Sequence, residues 1–418
     1  MEGLTELGQC KRLRFAKEVG VNKSILNDTF FESFETSILD VNEAQMLPPA
    51  CYVSQEFFEF EKRAIFDHEW LCVGREQWAQ HPGDYFTSSH IEEPIVVVRG
   101  NDRVLRAFGN VCQHRGMIVA EGRGSVKSLI CQYHHWAYGL DGKLVGAPAM
   151  EHAKDFDKRC IGLPEIKLEI WLSFVFINFD AKAPPLAPRL QHLTTAIVNY
   201  HVETAEGVPP DEPTRLPWNW KVMMENNNDG YHANKLHAGP LHDVAPSRLS
   251  VFPDLPDGTA GYFRFNGTLH KDVGFNPTHK ALLPVFPDLN DEEHTRLVFG
   301  NVPPTLSLVV LPDQITYMIL HAISANELAM TRGSLFAPGT MKQPMFNERL
   351  AMGIPSIKSI VAQDLHVDAL LPVGLRSRFA ARGRYSWQER AQRELNRWLV
   401  QRYKRAWKNE NRPNDSGA

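Results

Sequence analysis

Residues 112–136 read CQHRGMIVAEGRGSVKSLICQYHHW, and the spacing of cysteine and histidine in this stretch is the strongest fold signal in the chain. Cys112 and His114 form a Cys-x-His pair, and after sixteen intervening residues Cys131 and His134 form a Cys-x2-His pair. Each pair borders an apolar run typical of a β-strand, so each is expected in a turn where two side chains can reach one atom. The four residues therefore predict a metal site built from two loops.

Two kinds of metal centre fit this set of ligands. Two cysteines and two histidines can hold one zinc ion in a tetrahedron, or a [2Fe-2S] cluster with the cysteines on one iron and the histidines on the other. Zinc fingers usually pair cysteine with cysteine and histidine with histidine, whereas here each loop supplies one of each. The stretch resembles the Rieske iron–sulfur domain, including HRG after the first pair and YHxW around the second. The resemblance implies transfer of single electrons.

A second polar stretch, ENNNDGYHANKLH at residues 225–237, contains two histidines five positions apart. In an ideal helix His237 would lie about 140° around the axis from His232, so the helix must be distorted or must end for both to reach one metal. The following Gly239-Pro240 favours an ending. Two imidazoles with one carboxylate form the facial triad of non-haem iron(II) oxygenases, which leaves positions open for dioxygen and substrate.

The two motifs together resemble the α subunit of Rieske non-haem iron aromatic-ring-hydroxylating oxygenases, with the signature Glu-Asn-x2-Asp-x2-His-x4-His. The resemblance implies His232 and His237 as ligands of a mononuclear iron(II), and an aspartate of a late helix as the third. Within IVAQDLHVDALLPVGL, residues 360–375, Asp364 fits best and Asp368 is the alternative.

The same resemblance implies a catalytic role for Asp229 as a bridge between subunits. It would accept hydrogen bonds from His232 of its own subunit and from His134 of the next subunit, and so orient both imidazoles. Such a bridge implies a head-to-tail ring, most simply a homotrimer, with or without a small β subunit. Asn226 is expected near the iron pocket, and Glu225 has no assignment.

The predicted fold class is α+β. Short β-branched and aromatic runs divided by Gly, Asp and Asn indicate an all-β domain at residues 72–180, and LDGKL at 140–144 indicates a hairpin within it. By resemblance this is a Rieske [2Fe-2S] domain inserted before a helix-grip (Bet v 1-like) catalytic domain at residues 189–408, with an antiparallel sheet and long helices. The other segments are expected to be an N-terminal arm, a helix of the catalytic domain and a disordered tail, at residues 1–45, 46–71 and 409–418.

Three local signals refine this picture. Ser386 followed by Glu389 predicts the N-terminus of a helix, and SQEFFEFEKRAIFDHEW at residues 54–70 has the apolar spacing of an amphipathic helix. Four cysteines lack a histidine at ligand spacing and are expected to be buried apolar residues, namely Cys10, Cys51, Cys72 and Cys160.

Composition excludes several classes of function. The 418 residues carry a formal net charge of −4, so no basic excess indicates nucleic acid or a membrane surface. The N-terminus has no apolar stretch of the kind found in signal peptides, and the default is a cytoplasmic protein. No glycine-rich nucleotide motif is found, so electrons from NAD(P)H are expected to come through a separate reductase, with or without a ferredoxin.

The resemblance therefore implies the terminal oxygenase component of a multicomponent system, adding one or two atoms of O2 to a small molecule. An aromatic ring, carboxylated or not, is the first expectation. Hydroxylation or N-demethylation of a quaternary ammonium compound by a mono-oxygenase is the alternative. A non-catalytic Rieske electron-transfer protein and a zinc-binding protein are alternatives of a different class. Residues in β-like runs are candidates for the pocket wall, namely Phe265, Phe299, Val309, Tyr317 and Ile319.

Overall fold

The computed structural model describes residues 24–210, 212–239 and 241–411. The strands in these residues are β1 (Leu71–Arg75), β2 (Asp84–His90), β3 (Glu93–Arg99), β4 (Leu105–Gly109), β5 (Arg123–Ser125), β6 (Leu129–Ile130), β7 (Ala137–Tyr138), β8 (Leu144–Gly146), β9 (Glu165–Trp171), β10 (Phe174–Asn178), β11 (Thr214–Leu216), β12 (Ser250–Val251), β13 (Tyr262–Gly267), β14 (Arg296–Val302), β15 (Leu306–Val310), β16 (Ile315–Ser324) and β17 (Glu327–Leu335). The helices are α1 (Asp28–Glu32), α2 (Ala50–Val53), α3 (Gln55–Glu61), α4 (Gln191–Ala196), α5 (Trp220–Asn228), α6 (Phe346–Leu375) and α7 (Arg390–Glu410).

The first half of the chain forms a seven-stranded antiparallel sheet in the order β1-β10-β9-β4-β3-β2-β5, with a smaller sheet β6-β7-β8 beside it. The large sheet is bounded in sequence by β1 and β10, which pair directly, Leu71 opposite Ile177. The predicted hairpin at residues 140–144 joins β7 to β8. Gly142 takes a φ of 81° at its turn, a conformation that suits glycine because it has no Cβ.

The second half of the chain forms another seven-stranded antiparallel sheet, in the order β11-β17-β16-β15-β14-β13-β12. Helix α5 lies against β14, β15 and β16. Two amides fix it there: Asn227 Nδ2 donates to Asn301 Oδ1 at 2.9 Å, and Asn301 Nδ2 donates to the Met224 carbonyl at 2.7 Å. The end of α5 is therefore held at a defined position over the sheet.

Helix α7 packs against β13 and α5, and the segment around α1 lies on it. Phe31 stacks on Trp407 with ring centroids 4.4 Å apart. The predicted N-terminal signal of this helix is confirmed, since Ser386 and Glu389 form a capping box, although a 3-10 turn at Trp387–Glu389 precedes α7 itself. Parts of the predicted arm and tail, residues 1–23 and 412–418, lie outside the described residues.

The predicted amphipathic helix at residues 54–70 is confirmed as α3, which continues through a π-helical turn, Lys62–Phe66. Its last residue, Glu61, accepts hydrogen bonds from Lys221 Nζ at 2.6 and 2.8 Å, and both side chains are fully buried. Tyr403 of α7 donates to the same carboxylate. This buried ion pair joins α3, α5 and α7 behind the functional site.

The expectation for the unpaired cysteines is confirmed for Cys51 and Cys72, which are buried, and is wrong for Cys160, which is exposed. Cys160 ends a 3-10 turn, Lys158–Cys160, capped by the Asp157 side chain. The surrounding charged residues keep this turn at the surface. Cys10 lies outside the described residues.

Candidate metal centres and the cavity beside them

The Cys-x-His and Cys-x2-His motifs lie in two loops of similar shape. In each loop, the backbone N–H of the fourth residue after the cysteine donates a hydrogen bond to the cysteine carbonyl. Gly116 donates to Cys112 and His135 donates to Cys131, both at 2.9 Å. Gly116 and His135 have positive φ values of 74° and 57°. The two tight turns direct a cysteine and a histidine of each loop to one end of the small sheet β6-β7-β8.

The cysteines of the two loops lie deeper than the histidines. Cys112 and Cys131 are each only 2% exposed, whereas His134 is exposed to solvent. The rings of His114 and His134 are 4.6 Å apart between centroids, and His114 stacks on the buried Trp136. The exposed imidazole thus forms the edge through which this site meets solvent or another molecule.

The four side chains fit a two-iron cluster better than one zinc ion. The ligand atoms of tetrahedral zinc lie within about 4 Å of one another. Within the described ranges, one group of three or more such donors comes within 4.8 Å, and Cys112, Cys131, His114 and His134 are not in it. The His114 Nδ1 atom is buried without a hydrogen-bond partner, as an atom that would bind a metal would be.

The group that does converge consists of His232, His237 and Asp364. The two Nε2 atoms are 3.2 Å apart, and Asp364 Oδ1 lies 2.9 Å from His237 Nε2 and 3.6 Å from His232 Nε2. Ligands about 2.1 Å from a metal and at right angles to one another would be about 3.0 Å apart. The three donor atoms therefore fit one face of an octahedral ion.

The end of α5 makes this convergence possible. The helix stops at Asn228, Asp229 is extended with a ψ of 108°, and a 3-10 turn, His232–Asn234, follows. The helix ends before both histidines, at Asn228, and not at the Gly239-Pro240 signal, so Asp229 and His232 do not share a helical face. A turn relates them, in which Asp229 Oδ1 accepts from the Tyr231 N–H at 2.6 Å.

Neighbouring side chains orient each member of the triad. His237 Nδ1 donates to Gln363 Oε1 at 2.9 Å, which leaves Nε2 free as a ligand atom. Asn226 Nδ2 donates to Asp364 Oδ1 at 3.2 Å. Burial would raise the pKa of Asp364, but hydrogen bonds from His232 and His237 lower it to about 2. Asp364 is therefore an anionic donor.

Asp229 contacts the triad from the side. Its Oδ2 lies 2.9 Å from His232 Nδ1. Burial would lower the pKa of His232, but the Asp229 and Asp364 carboxylates raise it to about 9. Within the described part of a single chain, no hydrogen bond joins Asp229 to His134.

Two other acidic residues lie near the triad without joining it. Asp368, the alternative ligand, is buried one helical turn beyond Asp364, and its Oδ2 has no hydrogen-bond partner. Burial, and then the charge of Asp364, raise its pKa to about 7. Glu225 lies on α5 itself, half-buried, and accepts a hydrogen bond from the Tyr52 hydroxyl at 2.6 Å, which gives it a contact within the fold.

The triad opens on a cavity of about 210 Å³ between α5, α6 and the second sheet. Of the five candidate wall residues, Phe299 and Val309 line it, whereas Phe265, Tyr317 and Ile319 do not. Successive residues of a strand face opposite sides of the sheet. The last three belong to the packed opposite face.

Several residues of the triad's surroundings and of the cavity wall were not found from the sequence. Gln363 directly precedes Asp364, so the dipeptide was visible but its bond to His237 depends on tertiary structure. The charged wall residues Arg264, Asp313 and Arg332 carry no local signal. Periodicity in strands β13 to β17 defines two faces without saying which one is open.

Two family comparisons cover most of the chain. Residues 69–158 match the Rieske [2Fe-2S] domain, and residues 198–405 match the catalytic domain of the ring hydroxylating alpha subunit. These matches confirm the predicted class of protein and the predicted types of cofactor. They also confirm the predicted fold, in which a Rieske domain precedes a catalytic domain of helices and antiparallel sheet.

Curated relatives of known function match about half of the chain. The carnitine monooxygenase oxygenase subunit of Acinetobacter pittii is 39% identical over 204 residues, 47% of this chain and 53% of the relative. The glycine betaine monooxygenase oxygenase subunit of Chromohalobacter salexigens is 34% identical over 199 residues, which are 47% of this chain and 44% of the relative. The large oxygenase component of a Pseudomonas putida naphthalene 1,2-dioxygenase system is 33% identical over 213 residues, which are 49% of this chain and 46% of the relative. The chain thus spans about half the length of these relatives.

Solved structures match almost the whole fold. A quaternary ammonium Rieske monooxygenase superposes with a TM-score of 0.74 and 25% identity, over 90% of this chain and 99% of the other. A naphthalene 1,2-dioxygenase from Rhodococcus sp. gives the same TM-score at 19% identity, over 90% of this chain and 98% of the other. None of the helices in the described residues has both the length and the hydropathy needed to cross a membrane.

Proposed function

Because the chain belongs to the Rieske oxygenase large subunits, we propose that it is the terminal oxygenase component of a multicomponent mono-oxygenase that acts on a quaternary ammonium compound. The observation that carries the proposal is the triad of His232, His237 and Asp364 at the wall of a cavity large enough for a small molecule. A Rieske electron-transfer protein would need neither the triad nor the cavity.

We assign the mononuclear iron to the triad, and the [2Fe-2S] cluster to Cys112, His114, Cys131 and His134. When bound, the iron supplies activation of dioxygen and the cluster supplies single electrons. The chain's own residues prepare the site: Gln363 holds His237 in the tautomer with a free Nε2 atom, and Asn226 holds the Asp364 carboxylate. The apolar part of the wall excludes water from the substrate.

We assign Asp229 the role of a bridge to His134 of a neighbouring subunit in a homotrimeric ring. Asp229 Oδ2 contacts His232 Nδ1, and the exposed His134 is free to accept a partner's contact. The two cluster loops also expose three apolar residues, as a protein contact surface would: Met117, Ile118 and Tyr133. A separate NAD(P)H-dependent reductase would supply the electrons.

A quaternary ammonium substrate is supported by the likeness to carnitine and glycine betaine monooxygenase oxygenase subunits. The cavity adds a physical argument, because Asp313 and Asp368 line it and neither forms a salt bridge within the described residues. A cation in the cavity would be attracted by both carboxyl groups.

An aromatic ring, carboxylated or not, remains the second candidate. It is supported by Phe275 and Phe299 in the cavity wall and by the likeness to a naphthalene dioxygenase component. The face of Phe299, however, is covered by the Arg264 guanidinium at 3.9 Å, which leaves one of these two rings open for stacking.

A substrate panel with a surrogate reductase tests the function. We expect oxygen-dependent consumption of a trimethylammonium compound, with formaldehyde or a hydroxylated product in proportion to NADH. Turnover of aromatic compounds alone would replace the first candidate by the second. NADH consumption without product from either class would contradict both.

A further inference from the structure

The cavity contains charges that the chain itself does not neutralise. Besides the triad and Asp229, it is lined by five charged or acidic side chains, namely Arg264, Asp313, Arg332, Arg349 and Asp368. No salt bridge in the described residues involves any of the five. Charged groups surrounded by protein are usually paired because leaving water is costly. Arg264, Asp313 and Asp368 are buried without such a pair. Arg332 and Arg349 are exposed and can meet a ligand that enters the cavity. The cavity therefore suits a ligand with charges of both signs.

The three arginines of the cavity differ in the contacts that their guanidinium groups make with the rest of the protein. Arg264 Nη1 donates to Asn266 Oδ1 at 2.8 Å, and its guanidinium covers Phe299. Arg349 lies near the start of α6 on an exposed part of the helix. The Arg332 side chain is exposed at the cavity wall and forms no hydrogen bond or salt bridge within the described residues. Its guanidinium is thus open to a ligand within the cavity.

Arg332 and Asp368 occupy different walls of the cavity. Arg332 lies on β17 opposite Met318 of β16, and Met330 lies two residues before it on the same face. These thioether side chains give Arg332 an apolar surrounding. Asp368 lies on α6, on the same helical face as Asp364 and one turn beyond it. A cationic group close to the triad would therefore meet Asp368, while an anionic group of the same molecule would meet the sheet.

We propose that Arg332 binds the carboxylate of a zwitterionic substrate whose quaternary ammonium group lies beside Asp368, so that Arg332 determines specificity for betaines over simple cations. This inference rests on the proposed function, since it concerns the same cavity and substrate class. A guanidinium can bind a carboxylate through two parallel, charge-assisted hydrogen bonds. The contact lies away from the triad and would position the methylated nitrogen without taking part in the chemistry.

The test compares two trimethylammonium compounds that differ only in the acid group, glycine betaine and choline. With Arg332→Met, we expect the KM for glycine betaine to rise at least about tenfold, the loss for one charge-assisted contact. The kcat should change little, and the KM for choline should stay unchanged. Arg332→Lys should recover part of the discrimination. Calorimetric titration of glycine betaine should show the same loss without turnover.

Arg215 offers a matched control. It lies on the neighbouring strand β11 and pairs with Glu327 at the surface, outside the cavity. Arg215→Gln makes the same change of charge and should leave both KM values unchanged. Equal effects of Arg332→Met on glycine betaine and choline, or none on either, would overturn the role of Arg332 while leaving the proposed function intact. Failure of the wild-type protein to oxidise either compound, while it oxidises an aromatic one, would overturn the proposed function and this inference with it.

Discussion

At the scale of single residues, the candidate iron site depends on ligand side chains that hydrogen bonds within the protein already orient without a metal. Gln363 bonds the outer Nδ1 atom of His237, Asn226 bonds Oδ1 of Asp364, and Asp229 bonds Nδ1 of His232. Such contacts orient ligands and raise their affinity for a metal. The triad therefore behaves as one preorganised unit.

Replacing Asp364 tests the choice of the third ligand. Asp364→Ala should remove the mononuclear iron, because two imidazoles alone hold iron(II) weakly, and should leave the visible spectrum of the cluster unchanged. Asp368→Ala is the matched control, one turn along α6, and should retain both metals. Loss of iron from the Asp368 variant and not from the Asp364 variant would reverse the assignment.

At the scale of elements, the position of α5 is set by buried polar contacts. Its Lys221 pairs with Glu61 of α3 at 2.6 Å, where neither side chain reaches solvent. Asn227 and Asn301 hold its other side on β14. The helix end that carries the histidines is thus fixed from two directions.

Breaking the buried pair should destabilise the fold strongly. Lys221→Met leaves the Glu61 carboxylate buried without its cation and should cost about 3–5 kcal/mol of unfolding free energy. Adding Glu61→Gln should recover part of this, because the neutral amide is cheaper to bury. Chemical denaturation of the three proteins measures the difference. A single variant as stable as the wild type would show that the pair contributes little.

The elements also show what the sequence could and could not predict. The Cys-x-His, Cys-x2-His and His-x4-His spacings are local, so the candidate cysteine and histidine ligands could be predicted from them, whereas Asp364 was implied only by the family resemblance. The exposure of Cys160 depended on a surface turn, and the open face of the second sheet depended on which side α6 covers. From the sequence alone, Tyr317 and Ile319 are therefore as suitable for the wall as Thr316 and Met318, which line it.

At the scale of the whole molecule, the two sheets meet at a pair of histidines. His90 of β2 and His321 of β16 have ring centroids 4.6 Å apart. Burial lowers the pKa of both imidazoles, that of His321 to about 4. Both rings are therefore neutral in the folded protein at neutral pH.

This contact predicts a loss of stability in acid. Between pH 6.5 and pH 4 the unfolded chain takes up protons that the folded chain does not bind at these rings, so stability falls as the pH is lowered. The fall is at most about 1.4 kcal/mol per pH unit for each histidine. Melting temperatures at pH 7 and pH 5.5 should differ less in a His90→Leu/His321→Leu variant. The exposed His192→Gln is the control, and an equal reduction there would contradict the prediction.

The proposed ring predicts complementation between defective chains. Chains with Cys112→Ser lack the cluster, and chains with Asp364→Ala lack the mononuclear iron, so each alone should be inactive. Co-expressed, they should form mixed trimers with partial activity, because a cluster in one subunit serves the iron of the next. Adding Asp229→Ala to the chain that retains iron should abolish the recovery. No recovery in mixed trimers would contradict the bridge between subunits.

Metal analysis shows whether one chain holds both a Rieske cluster and a separate mononuclear iron. Iron, zinc and acid-labile sulfide should be measured per chain on protein purified without added chelator. We predict about three iron atoms and about two sulfides, with zinc absent, as a [2Fe-2S] cluster and one iron require. Stoichiometric zinc without sulfide, or two iron atoms with an unchanged count in the Asp364→Ala protein, would show that the chain does not hold both centres.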